Sequence, residues 1–302
     1  MSDIKRNINL VCLFKGTDNY LSSLEPGGYV DTMLKEPYSL ATAYLKAYAD
    51  KDISIRHKYN INLLNLKDDG KGLTDSVRFQ NEFLGKILYN NPFAIGFSTY
   101  CWNIDTTITL IQKIKKIRPK TIIILGGRYA LNEYLYKYPE IDFVIRGEGE
   151  IPFSDLVKKN FSKNEITPGI SYIKDKILLD GGEGHIVKDI DTIPSPYTTG
   201  LIKPNIYNMM IELSRGCLNN CGYCEWNSNR TLRIHSEKRI REEILFAIRN
   251  RLRHITIIDS AINYNKILLQ SLLRICKEFD TDSPLFSYNL RYCLLYTSDA
   301  AD

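Results

Sequence analysis

The sequence lacks the features that mark several large classes of protein. Its 302 residues contain no apolar run of the ~18 residues that a membrane span requires. The 40 basic and 35 acidic residues are scattered rather than gathered into the basic stripe of a nucleic-acid binder. The apolar stretch near the N-terminus is too short for a secretory signal. These absences predict a cytoplasmic protein with reduced thiols, no membrane span and no nucleic-acid partner.

Cysteine is scarce as well, yet three of the seven cysteines are crowded together. Cys217, Cys221 and Cys224 stand in "SRGCLNNCGYCEW", with gaps of three and then two residues. We expect Cys12, Cys101 and Cys276, which lie apart in apolar or mixed surroundings, to be small buried side chains.

The crowded cysteines indicate a soft-metal site. Structural zinc usually takes four ligands from two pairs, but no second pair is present and only His235 follows nearby. Three thiolates on a four-iron cluster would leave one iron open to a substrate or cofactor. The spacing therefore favours a 4Fe-4S cluster, while a zinc site or a chance grouping stays an alternative.

Apolar runs alternate with helical patterns along most of the chain. In the N-terminal half, five apolar runs separated by helices predict a doubly wound parallel sheet of the α/β class. In the C-terminal half, three strand and helix units predict the start of a (β/α) barrel, with the cysteine motif after its first strand. The predicted divisions are a sheet domain, a hairpin and linker, a half barrel and a tail, over 1–160, 161–205, 206–292 and 293–302.

The cysteine motif, with Tyr223 just before its last cysteine, resembles that of the radical S-adenosylmethionine (SAM) enzymes. The resemblance implies that Cys217, Cys221 and Cys224 bind a 4Fe-4S cluster whose fourth iron is chelated by SAM. An electron then cleaves SAM to a 5′-deoxyadenosyl radical, which abstracts hydrogen from a substrate. It also implies that Tyr223 lies near the cofactor and that an electron donor such as flavodoxin or ferredoxin is a partner.

The N-terminal half resembles a subclass, the cobalamin-binding radical SAM proteins, through "IGFSTYCWN", "ILGG", "DFVIRGEGE" and "IDTIPSPY". The resemblance covers nearly all of residues 1–292 and implies a flavodoxin-like sheet with cobalamin at the carboxyl ends of its strands. No Asp-x-His-x-x-Gly loop is present, so no histidine is expected to bind cobalt. The predicted cobalamin contacts are Gly96, Ser98, Gly126, Gly127, Gly147, Glu148 and Gly149. The alternative is that these glycines only permit tight strand exits.

Asp259 ends the second strand of the predicted barrel. In the family this place lies near the amino acid part of SAM and often carries a Gly-Gly-Glu motif, which is absent here. Asp259 is therefore either a substitute contact to SAM or a cap on the next turn. We predict no catalytic residue beyond the cluster ligands.

The last ten residues, "CLLYTSDAAD", resemble the translation of a transposon-end sequencing adapter. Three barrel units are also half of the usual six. We therefore expect a fragment truncated within the radical SAM barrel and inactive by itself.

The overall prediction is a cobalamin-dependent radical SAM methyltransferase that acts on an unactivated substrate centre. One alternative keeps both cofactors but performs a rearrangement or cyclisation. Another is a non-catalytic iron–sulfur or zinc binding module. The substrate, whether a small molecule, a lipid or a peptide, cannot be inferred from these residues.

Overall fold

The structure is a computed structural model that describes residues 4–14, 38–67, 77–203, 208–219, 231–252, 254–279 and 285–287. The chain divides into two compact units, Met1–Val187 and Lys188–Asp302.

The first unit alternates strands and helices, as the apolar runs predict. Its strands are β1 (Arg6–Phe14), β2 (Tyr59–Lys67), β3 (Ala94–Ser98), β4 (Ile122–Gly126), β5 (Phe143–Ile145), β6 (Ile170–Lys174) and β7 (Ile177–Leu179). Its helices are α1 (Leu40–Ala49), α2 (Ile53–Lys58), α3 (Val77–Leu88), α4 (Ile104–Ile117), α5 (Glu133–Lys137) and α6 (Glu150–Lys158).

These seven strands form one sheet in the order β2-β1-β3-β4-β5-β6-β7. The first five strands in this order pair in parallel, and β6 and β7 add to the edge as antiparallel strands. Parallel neighbours require crossover connections, and the helices between the strands supply them. The predicted α/β class and mostly parallel sheet are confirmed.

The sheet is covered on both faces because alternate residues of each strand point to opposite sides. On one face Val11, Phe97 and Leu125 join a core with α3 and α4. On the other face Leu10 and Ile124 join a core that includes apolar side chains of α1, α2 and α6. Burial on both sides explains why the strands are continuous apolar runs rather than alternating ones.

Local capping sets where the first two helices begin. Helix α1 starts at Leu40, because the Ser39 side chain accepts a hydrogen bond from the amide of Thr42. Asp52 caps α2 in the same way by accepting from Ser54.

The predicted hairpin near residue 170 is present as β6 and β7. It extends the main sheet, because β6 pairs antiparallel with β5 through Val144 opposite Ser171. Gly181 donates its amide to Ile170 and so closes the strand pair at its base.

The second unit contains a smaller set of elements. Its strands are β8 (Asn208–Ile211), β9 (Ser214–Arg215), β10 (Arg233–Ile234), β11 (His254–Ile257) and β12 (Leu285–Ser287). Its helices are α7 (Glu237–Arg249) and α8 (Lys266–Glu278). Strands β12, β11 and β8 form a parallel sheet in that order, and β9 pairs antiparallel with β10. The half barrel expected over residues 206–292 stays a prediction. Among the described residues, no helix is both long and apolar enough to cross a membrane.

Candidate functional site

The carboxyl edge of the large sheet contains a point where the strand order changes direction. From β1 the chain goes to β2 on one side and then to β3 on the other. The connection after β1 leads to β2 on one side, and the connection after β3 leads to β4 on the other. Connections that diverge in this way open a crevice at the carboxyl ends of the two strands they leave, here β1 and β3. Ser98 ends β3 opposite Gly126, and Gly126 ends β4. Two of the predicted cobalamin contacts thus lie side by side at this edge.

A buried asparagine holds the crevice in shape. The Asn103 side-chain amide donates to the carbonyl of Leu13 at 3.1 Å and to that of Ser98 at 3.1 Å. Its Oδ1 accepts from the amide of Tyr100 at 2.8 Å. Asn103 therefore ties the carboxyl ends of β1 and β3 together. Sequence reasoning missed this role, because an asparagine before a helix is usually an N-cap, and here its side chain makes no cap hydrogen bond.

The two adjacent glycines after β4 have different environments. A Cβ added at Gly126 would have no heavy atom of the described residues within 4 Å, apart from its chain neighbours. Gly127 has φ +97°, and a Cβ there would lie 2.7 Å from the carbonyl oxygen of Thr99. Gly127 is thus required by the backbone itself, whereas Gly126 leaves space at the edge that a ligand could occupy.

Protein atoms occupy the space beside the other three predicted glycines. A Cβ at Gly96 would lie 2.9 Å from a methyl of Leu10, and one at Gly149 would lie 2.9 Å from Leu45. A Cβ at Gly147, which has φ +77°, would lie 3.0 Å from the Glu183 carboxylate. Close packing explains these glycines without a ligand.

Glu148, which lies between Gly147 and Gly149, has a partner within the protein. Its Oε2 accepts a hydrogen bond from the amide of Val187 at 2.9 Å. This contact fastens the segment after β7 to the exit of β5. The role proposed for Glu148 in cobalamin binding is not needed to explain its position.

The loop after β3 offers aromatic surface at the same edge. Tyr100 and Trp102 stack with ring centroids 4.6 Å apart and planes 5° from parallel, and Trp102 is 52% exposed. The exposed Trp102 ring of this stacked pair can contact the face of a large flat ligand. Cys101 between them is exposed, so the expectation that it is buried is wrong. Cys12 is buried as expected, and burial raises the pKa of its thiol to about 11.

In the second unit, the cysteine motif stands in the sequence between two strands, β9 and β10, that pair with each other. Ser214 and Arg215 of β9 pair with Ile234 and Arg233 of β10, so both ends of segment 216–232 are held together. Cys217 is buried, and the side-chain amide of Asn219 donates to its Sγ at 3.8 Å.

A buried sulfur with an amide donor is an environment that suits a thiolate ligand. The other predicted residues of the motif, Cys221, Tyr223 and Cys224, lie outside the described residues. Their roles stay predictions.

Asp259 is 2% exposed at the end of the loop that follows β11. Its Oδ1 accepts from the amide of Leu213 at 2.8 Å, and its Oδ2 accepts from the Ser214 hydroxyl at 2.5 Å. Burial raises the pKa of this carboxyl to about 6, although both hydrogen bonds act in the opposite direction. The carboxylate therefore binds the segment just before the cysteine motif.

His235 follows β10 and is also buried, at 4% exposure. Its Nδ1 lies 2.7 Å from a carboxylate oxygen of Asp191. Burial lowers the pKa of His235 to about 4; the Asp191 carboxylate opposes this shift, and the charges of Arg239 and Arg215 add to it. The imidazole is thus neutral at pH 7 and donates from Nδ1 to Asp191, which makes this contact a hydrogen bond rather than an ion pair.

Acidification should destabilise the chain through His235. The unfolded imidazole takes up a proton near pH 6.5, whereas the folded one does so only near pH 4, so stability falls as pH drops through this window. We expect the wild type to lose about 2 kcal/mol relative to His235→Gln between pH 7 and pH 5. Urea unfolding of both chains, followed by circular dichroism, measures this difference.

Wild type and His235→Gln have to be compared with each other, because the titration of Asp259 changes the stability of both in the opposite direction to that of His235. The folded pKa of Asp259, about 6, lies above the ordinary value of 3.8, so protonation of Asp259 stabilises the fold as pH drops. Equal losses of stability in wild type and His235→Gln would contradict a buried, neutral His235.

Comparison with known proteins shows what this chain is similar to. Residues 32–157 match the family described as the B12 binding domain. The chain is 24% identical over 186 residues to the cobalamin-dependent radical SAM methyltransferase TokK of Streptomyces tokunonensis. It is 29% identical over 116 residues to the anaerobic magnesium-protoporphyrin IX monomethyl ester cyclase of a Synechocystis species. These alignments cover 56% and 35% of this chain.

Among solved structures, the fold is similar to that of the radical SAM methyltransferase TsrM from Kitasatospora setae with tryptophan and a SAM analogue bound. The TM-score is 0.61 with 14% identity, and the alignment covers 93% of this chain and 53% of TsrM. A second TsrM structure, with cobalamin and a 4Fe-4S cluster bound, gives a TM-score of 0.58.

This chain spans 27% of the length of TokK and 23% of that of the cyclase. The findings support a B12-binding domain and homology to cobalamin-dependent radical SAM methyltransferases.

Proposed function

We propose that this chain belongs to a cobalamin-dependent radical SAM enzyme that methylates an unactivated substrate centre. The observation that carries the proposal is the position of the B12-binding match. Residues 32–157 include β2, β3 and β4. The strand order reverses between β1 and β3, and Gly126 ends the next strand, β4, opposite Ser98 of β3. Ligands of open parallel sheets bind at the crevice beside such a reversal.

The residues at the carboxyl edge fit a large flat cofactor. Gly126 leaves space without a side chain, Gly127 permits the turn, and Trp102 with Tyr100 provides aromatic surface. Ser98 adds a hydroxyl at the end of β3, and Asn103 keeps the ends of β1 and β3 together. We propose that these residues hold cobalamin, which when bound supplies a transferable methyl group.

The cysteine motif fits a soft-metal centre. We propose Cys217, Cys221 and Cys224 as ligands of a 4Fe-4S cluster, which would supply the electron for cleavage of bound SAM. The protein's own contribution is to bury the Cys217 thiol, to direct the Asn219 amide at its sulfur and to hold the ends of the segment. An electron donor such as flavodoxin or ferredoxin would be the partner.

A second candidate reaction is cyclisation with the same cofactors. The similarity to the magnesium-protoporphyrin IX monomethyl ester cyclase favours it. The two reactions differ in the mass of the product, since methylation adds one methyl group and cyclisation adds none. The substrate class, whether a small molecule, lipid or peptide, is open in both.

Anaerobic reconstitution of the 302-residue chain tests the cofactor assignment. We expect about four irons and one cobalamin to remain bound per chain after gel filtration. Binding of a single zinc without iron would contradict the radical SAM proposal and would favour a structural binding module. Failure to retain hydroxocobalamin, with iron retained, would leave a radical SAM protein without the proposed methyl donor.

A further inference from the structure

The residues before the cysteine motif are held by a pair of side chains that follow β11. Asp259 binds the amide of Leu213 and the hydroxyl of Ser214, as described above. The next residue, Ser260, donates its hydroxyl to the carbonyl of Gly216 at 3.0 Å. Two consecutive residues therefore make three hydrogen bonds to the four residues that lead to Cys217.

The contact depends on the Asp259 side chain. An amide and a hydroxyl both donate to it, so each of its oxygens accepts one hydrogen bond. An asparagine could keep both contacts, since the Ser214 hydroxyl can also accept from an NH₂ group, whereas an alanine removes both. Because the group is 2% exposed, water cannot easily replace a lost partner.

The position of Gly216 makes the third bond consequential. Gly216 has φ +99°, so the chain turns there immediately before Cys217. The Ser260 hydroxyl holds the carbonyl of Gly216. The planar peptide unit that contains this carbonyl ends at the Cα of Cys217. The direction of the Cys217 side chain thus depends on the hydrogen bond between Ser260 and Gly216.

We propose that Asp259 and Ser260 form a clasp that positions Cys217, and that Asp259 is a positioning residue rather than a contact to SAM. This clasp consists of Asp259, Ser260 and the hydrogen bonds to Leu213, Ser214 and Gly216. It rests on the proposed function only in that Cys217 is taken as a cluster ligand. The clasp itself holds in the metal-free protein.

Thiol reactivity tests the clasp without any metal. In the metal-free chain, the alkylation rate of each cysteine is followed by peptide mass mapping in wild type, Asp259→Ala and Ser260→Ala. We expect Cys217 to react about tenfold faster in both variants, the change that corresponds to the loss of a buried hydrogen bond or two. Asp189→Ala and Ser271→Ala, which change the same residue types elsewhere in the unit, should leave the rate unaltered.

Cys276 on α8 serves as an internal reference. General loosening of the unit would raise the rates of Cys276 and Cys217 together, whereas loss of the clasp raises that of Cys217 alone. A Cys217 rate within twofold of wild type in both Asp259→Ala and Ser260→Ala would overturn the proposal.

A second readout uses the reconstituted chain. We expect the electron paramagnetic resonance spectrum of the reduced cluster to change in Ser260→Ala while the chain still binds iron. An unchanged spectrum would contradict a role in placing the ligand. If wild type binds no iron but the Cys217 rates respond as expected, the proposed function fails and the clasp stands, so the two failures are distinguishable.

Discussion

Replacement of Cys217 by alanine is expected to abolish cluster binding. A cluster with only two remaining thiolates has lost one of its three proposed protein ligands. We expect iron retained after reconstitution to fall from about four per chain to less than about one. Cys221→Ala and Cys224→Ala should behave alike.

The matched control is Cys276→Ala, which removes a partly buried thiol from α8 in the same unit. Iron and sulfide analysis of the anaerobic proteins measures the outcome. Full iron retention in Cys217→Ala would contradict the ligand assignment, and equal loss in Cys276→Ala would show that the effect is not specific to the motif.

The second large effect is expected at Gly126. A leucine there meets no described protein atom within 4 Å at its Cβ, and the position has no positive φ, so the fold should tolerate it. The four added carbons would instead fill the space at the carboxyl edge. We expect cobalamin affinity to fall at least about a hundredfold while the unfolding temperature stays near that of wild type.

Gly85→Leu is the matched control, because Gly85 on α3 also has no described atom within 4 Å of an added Cβ and lies away from that edge.

Gly127→Ala, unlike Gly126→Leu, is expected to lower the stability of the fold. Its φ of +97° and the contact with Thr99 should destabilise the fold by about 1–3 kcal/mol. Spectral titration with hydroxocobalamin measures the affinities. Unchanged binding in Gly126→Leu would contradict the proposal that cobalamin binds at this edge.

The large sheet could be predicted from the sequence because its strands are buried on both faces. Continuous apolar runs such as β3 and β4 carry that signal within five residues, and the helices between them imply parallel pairing. The hairpin of β6 and β7 was predictable because two short apolar runs flank the polar pair Asp175 and Lys176. Its attachment to β5 was not, because nothing in residues 170–179 specifies which strand edge they pair with.

The individual roles at the candidate site depend on partners distant in sequence. Gly96 has the same chain context as a ligand-contacting glycine, yet a methyl of Leu10, on a neighbouring strand, fills its space. Asp259 lies 46 residues from Leu213, so its sequence neighbours suggest a turn cap while its hydrogen bonds lie elsewhere. Asn103 likewise joins a carbonyl 90 residues away. Residue type and spacing locate such groups without specifying what they contact.

The pairing of β9 with β10 has a consequence for metal affinity. Bringing together the ends of a flexible segment as long as residues 216–232 costs roughly 2.5 kcal/mol of chain entropy, beyond a constant. Two backbone residue pairs and the amide of His235, which donates to Leu213, hold those ends without a metal. The free energy of iron–thiolate bonding is therefore not spent on closing the segment. A metal that enters does not have to bring those ends together, and it can leave without unravelling the strands on either side.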